Sequence, residues 1–254
     1  MSKLPKEHKF LDLSDYGRPV ARFIANALKH TNFTPIHVTI GFIISGLLAI
    51  YCIIQGYYWL AVFFLIFKSI LDAADGELAR IKQTPSYTGR YLDSVADIIL
   101  NALFFISIYF ITDTALLVCF LAFLGLQLQG TLYNYYYVIL RNKFDGDTTS
   151  RVFETGTPVA LDGEKQKHVN ILFGLYTFLY GAFDKVIYKL DSNANQGDVL
   201  PKWLMTCVST FGLGFQLLII AVMLVMGLKA YILPFFLVYT IMVFVFIAIR
   251  KVFY

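Results

Sequence analysis

Charge is scarce in this sequence. Aspartate, glutamate, lysine and arginine make up 15% of its 254 residues, against about a quarter in an ordinary soluble domain. Cysteine is scarcer still. Cys52, Cys119 and Cys207 all fall in apolar runs, and no paired spacing points to a disulfide or a zinc site, so they read as small buried hydrophobes. A net charge of +4 does not call for nucleic acid, and none is expected as a partner. No internal repeat and no low-complexity tract is present. The first thirty residues lack a compact apolar core followed by a small-residue cleavage site. No cleaved signal peptide is expected, and the first membrane helix then acts as the insertion signal.

Apolar residues are what the chain has in plenty. They form 58% of it, and the mean hydropathy is +0.65. Runs of about 20 apolar residues mark helices that span a bilayer. Six are expected, at 35–54, 59–79, 90–112, 114–140, 203–227 and 230–250. The aromatic segment 168–189 is broken by Asp184 and Lys185 and reads as an interfacial or re-entrant helix, with a seventh span as the alternative. Residues 10–30 look amphipathic. Val20, Phe23, Ile24, Ala27 and Leu28 share one face, and Arg18, Arg22 and Lys29 lie on the other. Such a helix lies in the headgroup plane. The fold class expected is therefore all-α: a polytopic membrane protein of six transmembrane helices with an N-terminal interfacial amphipathic helix. Residues 1–34 form the N-terminal cytoplasmic or interfacial segment. Residues 35–254 form one transmembrane domain, with 141–202 a cytoplasmic loop that carries the interfacial helix.

The distribution of positive charge orients this arrangement. With the N-terminus in the cytoplasm, the outer links hold one of the 21 Lys and Arg residues, Lys229, and the other 20 count at or near cytoplasmic ends. Both termini are then cytoplasmic. A seventh span would put Arg250 and Lys251 outside, which the same rule disfavours.

Against this apolar background, Asp72, Asp75, Asp93 and Asp97 stand at the edges of two spans. An aspartate at a helix centre costs roughly 2.5 to 3.5 kcal/mol on insertion scales, so something must offset it. Asp72 and Asp75 are three apart and Asp93 and Asp97 four apart, so each pair shares a helix face. If the two helices form a hairpin, the four carboxylates converge. Between positions 72 and 97 the acids Asp72, Asp75, Glu77, Asp93 and Asp97 outnumber the bases Arg80, Lys82 and Arg90 by two. One or two divalent cations would neutralise the excess, and oxygen-only ligands select Mg²⁺ or Mn²⁺. Gly76, Ala79 and Gly89 leave room for a flat base or a diphosphate, and Arg80 can reach a phosphate oxygen bidentately.

The string D-x2-D-G-x2-A-R-x8-G-x3-D-x3-D, met here by Asp72, Asp75, Gly76, Ala79, Arg80, Gly89, Asp93 and Asp97, resembles the signature of the CDP-alcohol phosphotransferase family. The resemblance implies an integral membrane enzyme of phospholipid biosynthesis. It moves a substituted phosphate from a CDP-linked alcohol to an acceptor alcohol and releases CMP, using two divalent ions, and works as a homodimer at the cytoplasmic face. It also implies roles: Asp72, Asp75 and Asp93 as the main metal ligands, Asp97 as the general base and a further metal contact, and Gly76, Ala79, Arg80 and Gly89 lining the CDP site. CDP-diacylglycerol with a small polar acceptor is the donor expected first. The converse, CDP-choline or CDP-ethanolamine with a lipid hydroxyl as acceptor, is the alternative, because the motif reads the CDP portion common to both. A divalent-cation transporter or channel is a reading from another class, since membrane aspartates also line ion paths. Arg80 and the motif glycines argue against it, and the intact motif argues against an inactive scaffold.

Other stretches carry weaker signals. Relatives often have TPN-x-x-T before the first span. Here residues 34–39 read TPIHVT, with Ile36 at the usual Asn position and His37 as a substitute polar group. In RNKFDGDTTSR, residues 141–151, Arg141, Lys143 and Arg151 suit a phosphate or ordinary positive-inside flanking, while Asp145, Asp147 and the Thr-Thr-Ser run suggest a turn or cap. YNYYY at 133–137 reads as an interfacial aromatic belt. Gln127, Gln129 and Asn134 are expected to join helices inside the bundle, Gly212 and Gly214 to allow close packing, and 191–198 to form a polar loop.

Overall fold

The computed structural model describes residues 4–144, 156–197 and 199–254. Ten α-helices run through them: α1 Arg18–Leu28, α2 Pro35–Ile54, α3 Tyr58–Lys82, α4 Tyr87–Phe110, α5 Leu116–Lys143, α6 Gln166–Leu190, α7 Lys202–Val208, α8 Leu213–Val225, α9 Ile232–Tyr239 and α10 Ile241–Phe253. No strand occurs among the described residues. The chain is an all-helical polytopic membrane protein. A membrane interior leaves no backbone group a water partner, which is why helices carry the whole chain across it.

Local signals set the helix ends near the site. Thr34 and His37 form a capping box at the start of α2: the Thr34 N–H donates to His37 Nδ1 at 3.0 Å, and the His37 N–H donates back to Thr34 Oγ1. His37 thus closes a helix end. α3 stops at Gln83, whose φ of 53° lies in the left-handed region and lets its N–H turn back onto the carbonyls of Ala79 and Arg80. Ser86 caps α4, accepting from the Gly89 N–H at 2.8 Å. Lys82 Nζ donates to the carbonyls of Thr31 and Phe33 and so fixes the α1–α2 link to the end of α3.

α3 and α4 pack chiefly along α2 rather than on each other. Gly46 of α2 brings that helix close to Leu100 of α4, for a Cβ there would lie 2.8 Å from the leucine side chain. The bundle interior is filled by Phe42, Leu65, Phe104, Phe105, Leu126, Ile220 and Phe236. Lipid tails are as apolar as these side chains, so packing and polar links hold the helices together. Gln129 of α5 is one such link. Its Nε2 donates to the Phe236 carbonyl at 3.2 Å and to Thr240 Oγ1 at 3.1 Å, and its Oε1 accepts from Gln216. Gln127 is buried, whereas Asn134 is exposed.

α7 and α8 form one apolar unit bent by 56°. The turn Leu13–Asp15 wedges in at the bend: the Leu13 N–H donates to Ser209 Oγ at 2.9 Å, and a side chain on Gly212 or Gly214 would collide with Ser14. Both glycines accept the N-terminal segment, and Gly214 also brings α8 close to α3, where a Cβ would lie 3.0 Å from Ser69 Oγ. α1 buries Ala21 and Ala25 against Ala74 and Leu78 of α3 and leaves Val20 and Phe23 exposed, as a helix lying in a headgroup layer would.

α6 is 25 residues long and apolar enough to cross a membrane, yet both its ends are tied to the same end of the bundle. Just before it, Glu164 bonds to Ser86 and Thr88 at the start of α4. Just after it, Asp191 accepts from Tyr136 of α5 at 2.6 Å and from Arg250 Nε of α10 at 2.9 Å. That placement agrees with an interfacial helix. Residues 191–197 form turns, as expected of a polar loop, and Asp191 at their start is fully buried. One expectation is corrected. The tyrosines of YNYYY are internal hooks rather than a lipid-facing belt: Tyr133 bonds to Asp12, Tyr135 to the Asp191 carbonyl and Tyr136 to the Asp191 carboxylate. Asp145, Asp147, Thr148, Thr149, Ser150 and Arg151 lie outside the described residues.

Candidate active site

The site forms where the last turns of α3 face the first turns of α4. Asp72, Asp75 and Asp93 each present a carboxylate oxygen, and these three oxygens lie within 4.8 Å of one another. The helical spacings put Asp72 and Asp75 on one face, and the α4 register brings Asp93 opposite them. Asp75 is 8% exposed and accepts a 2.6 Å hydrogen bond from Thr39 Oγ1 of α2. Asp93 Oδ1 is buried with no hydrogen-bond partner among the described residues. An orphaned buried carboxylate oxygen beside two further carboxylates is what a bound cation would satisfy. The donor set is all oxygen and suits a hard divalent ion.

Asp97 is held differently. Its Oδ1 accepts from Nζ of Lys68, a residue of α3 with no exposed surface. Nζ of Lys68 also lies 3.8 Å from Asp72 Oδ2 and 4.7 Å from the centroid of the Phe42 ring. Lys68 was counted above among the cations at the cytoplasmic ends of the spans. The structure places it inside α3, one helical turn before Asp72.

At the mouth of the site, Glu77 is a hub for three arginines. Its Oε1 lies 2.6 Å from Arg18 Nη1, 3.6 Å from Arg22 Nε and 3.4 Å from Arg80 Nη2. The Arg80 guanidinium lies over Gly76, 3.6 Å from where a Cβ would stand, so the glycine leaves space that the guanidinium faces. Arg80 Nε is buried without a hydrogen-bond partner among the described residues. Ala79 is half-buried on the same helix. Gly89 is held tightly under its cap, for a Cβ would come within 3.2 Å of Ser86 Oγ.

Glu164 ties this cap down. Oε1 accepts from Ser86 Oγ and from the Thr88 N–H, each at 2.7 Å, and Oε2 accepts from the Leu161 N–H at 3.0 Å. Burial pushes the Glu164 carboxyl up, but these hydrogen bonds outweigh it and hold its pKa below the ordinary glutamate value. α6 closes one side of the site through Tyr180, whose hydroxyl donates to the Ser94 carbonyl at 3.0 Å, and through Phe173 and Tyr176 against the Tyr91 ring.

Comparison with known proteins bears on this arrangement. The sequence profile of the CDP-alcohol phosphatidyltransferases matches residues 25–187, from within α1 to near the end of α6. The chain belongs to the CDP-alcohol phosphatidyltransferase family. The match takes in every residue of the carboxylate group, Lys68 and Thr39, while α7 to α10 lie beyond it. A CDP-diacylglycerol–serine O-phosphatidyltransferase of Bacillus subtilis (strain 168) is 41% identical over 68 residues, which are 27% of this chain and 38% of that protein. The chain therefore matches well under half the length of that relative.

Two of the residues assembled here lie outside the aspartate motif. Thr39 is the closing Thr of the TPIHVT stretch, which was the available hint. Lys68 had a plainer one: a lysine four positions before Asp72, within an otherwise apolar run.

Proposed function

We propose that this member of the CDP-alcohol phosphatidyltransferase family is a phospholipid-forming transferase. It moves a phosphatidyl group from CDP-diacylglycerol to a small polar alcohol that bears a carboxylate or phosphate, serine included. The convergence of the Asp72, Asp75 and Asp93 oxygens within 4.8 Å, with every motif position filled, is the observation that carries this reading. The donor and acceptor classes draw support from the bacterial serine phosphatidyltransferase that the chain partly matches.

In this reading Asp72, Asp75 and Asp93 hold a divalent cation, Mg²⁺ or Mn²⁺. Held there, such an ion would supply positive charge to the diphosphate oxygens. Gly76, Ala79 and Gly89 line the CDP portion, and Arg80 gives its guanidinium to a phosphate oxygen. Asp97 takes the proton from the acceptor hydroxyl. The acceptor oxygen then forms a bond to the phosphorus of the phosphatidyl group, the bond from that phosphorus to the CMP oxygen breaks, and CMP leaves. Lys68 occupies Asp97 Oδ1 and leaves Oδ2 to face the acceptor.

Positive-inside asymmetry supports placing the site, with both termini, on the cytoplasmic side. The family resemblance adds a homodimer to the same reading.

The test is CMP release by purified protein with Mn²⁺ or Mg²⁺ and a panel of CDP-linked donors and alcohols. CDP-diacylglycerol with a carboxylate- or phosphate-bearing alcohol is expected to give CMP and new phospholipid in equal amounts. CMP formed from CDP-choline or CDP-ethanolamine alone would overturn the donor assignment. Asp97→Asn is expected to lower transfer by about 10²–10⁴-fold, the usual contribution of a positioned base. CMP release at the normal rate by that variant would remove Asp97 from the role.

A further inference from the structure

The four motif carboxylates are not equivalent in this chain. Asp72, Asp75 and Asp93 bring their oxygens together, and Asp97 is not part of that close set. A lysine engages Asp97 instead. The helical register explains the division. Lys68 stands one turn before Asp72 on α3, and Asp97 one turn beyond Asp93 on α4. The two helices run in opposite directions, so Lys68 and Asp97 meet in one layer, deeper in the bundle than the three converging carboxylates. Lys68 has no exposed surface, and the Phe42 ring lies against its Nζ. An ammonium held in such a place needs a lasting counter-charge. Asp97 supplies it by direct contact and Asp72 from 3.8 Å.

We propose that Lys68 is a resident cation of the site. Its ammonium takes the place that a second divalent ion would fill beside Asp97, so the chain binds one divalent ion per protomer, on Asp72, Asp75 and Asp93. A second ion on Asp97 would sit next to an ammonium that already engages the same carboxylate, in surroundings where like charges are poorly screened. Lys68 is thereby also a positioning residue, which fixes one oxygen of Asp97 and turns the other to the acceptor. This inference rests on the metal assignment made above.

The test is a Mn²⁺ titration of the purified full-length protein in detergent, with free Mn²⁺ read by its electron paramagnetic resonance signal and no substrate present. Wild type is expected to bind one ion per chain. Lys68→Met is expected to raise the count to two, and Lys68→Arg to keep it at one. Asp97→Asn is expected to keep a count of one, as for a residue outside the ligand set. Two ions on wild type, a count of one in folded Lys68→Met, or loss of an ion in Asp97→Asn would overturn the proposal. Wild type and Asp97→Asn decide it even if Lys68→Met does not fold. No Mn²⁺ bound by wild type would instead overturn the metal assignment itself, so the two failures are told apart.

Discussion

A single hydroxyl shows how residues far apart in sequence converge on the chemistry. Thr39 lies 36 positions before Asp75 and donates to its Oδ2 at 2.6 Å. Partners of this kind orient the carboxylates that hold a metal, and losing one typically costs about 10–100-fold in metal affinity or activity. Thr39→Val is expected to weaken Mn²⁺ binding by that factor while Thr39→Ser retains it, as a Mn²⁺ titration of the two variants would show. Much of this site is legible in the sequence, because residues three or four apart on a helix necessarily share a face, and Asp72, Asp75, Asp93 and Asp97 have that spacing. Thr39 and Lys68 are harder to read. Nothing local tells a hydroxyl at the start of one span which carboxylate of another it will meet. Lys68 lies inside the expected span 59–79, but the run of apolar residues around it does not say which carboxylate its ammonium will meet.

At the scale of elements, the segment before α6 acts as a strap across the start of α4. Glu164 is its buckle, with hydrogen bonds from Ser86, Thr88 and Leu161. Its pKa in the folded protein lies below the ordinary glutamate value. The stabilisation it gives is therefore complete above the ordinary glutamate range and is lost as pH falls through the lowered folded value. Glu164→Gln is expected to lower the melting temperature at neutral pH by roughly 2–4 °C, the shift that about 1 kcal/mol produces in a chain of this size. The difference from wild type should shrink towards zero as the pH drops below the glutamate range, and thermal melts of both proteins across pH would show it. The strap also explains why α6 was ambiguous in sequence. Its composition passes for a span, and the contacts of its two ends, which composition does not contain, place both at one end of the bundle. YNYYY is ambiguous in sequence for a related reason. Tyrosine suits a membrane interface and a buried hydrogen bond equally well, and Asp12 and Asp191 decide between them here.

Across the whole molecule, the N-terminal turn Leu13–Asp15 packs against residues some two hundred positions later. It docks at the bend between α7 and α8, where Gly212 and Gly214 leave no side chain in its way. Gly214→Val would drive a branched side chain into the Ser14 backbone. The expected cost is about 1–3 kcal/mol, as for other overpacked sites. Faster proteolysis within the first sixteen residues, together with a lower melting temperature, would register it. The all-helical, membrane-crossing class follows from apolar run length, whereas this docking depends on a contact between positions some two hundred residues apart. The bundle as a whole serves to hold three carboxylates against one another at the edge of an apolar slab. The most direct test of that claim is the metal dependence of CMP release from CDP-diacylglycerol by purified wild type and by Asp93→Asn. The account predicts release by wild type that stops on chelation, returns with Mn²⁺ or Mg²⁺, and is lost in Asp93→Asn at every metal concentration. Release that survives chelation, or an Asp93→Asn variant as fast as wild type, would contradict it.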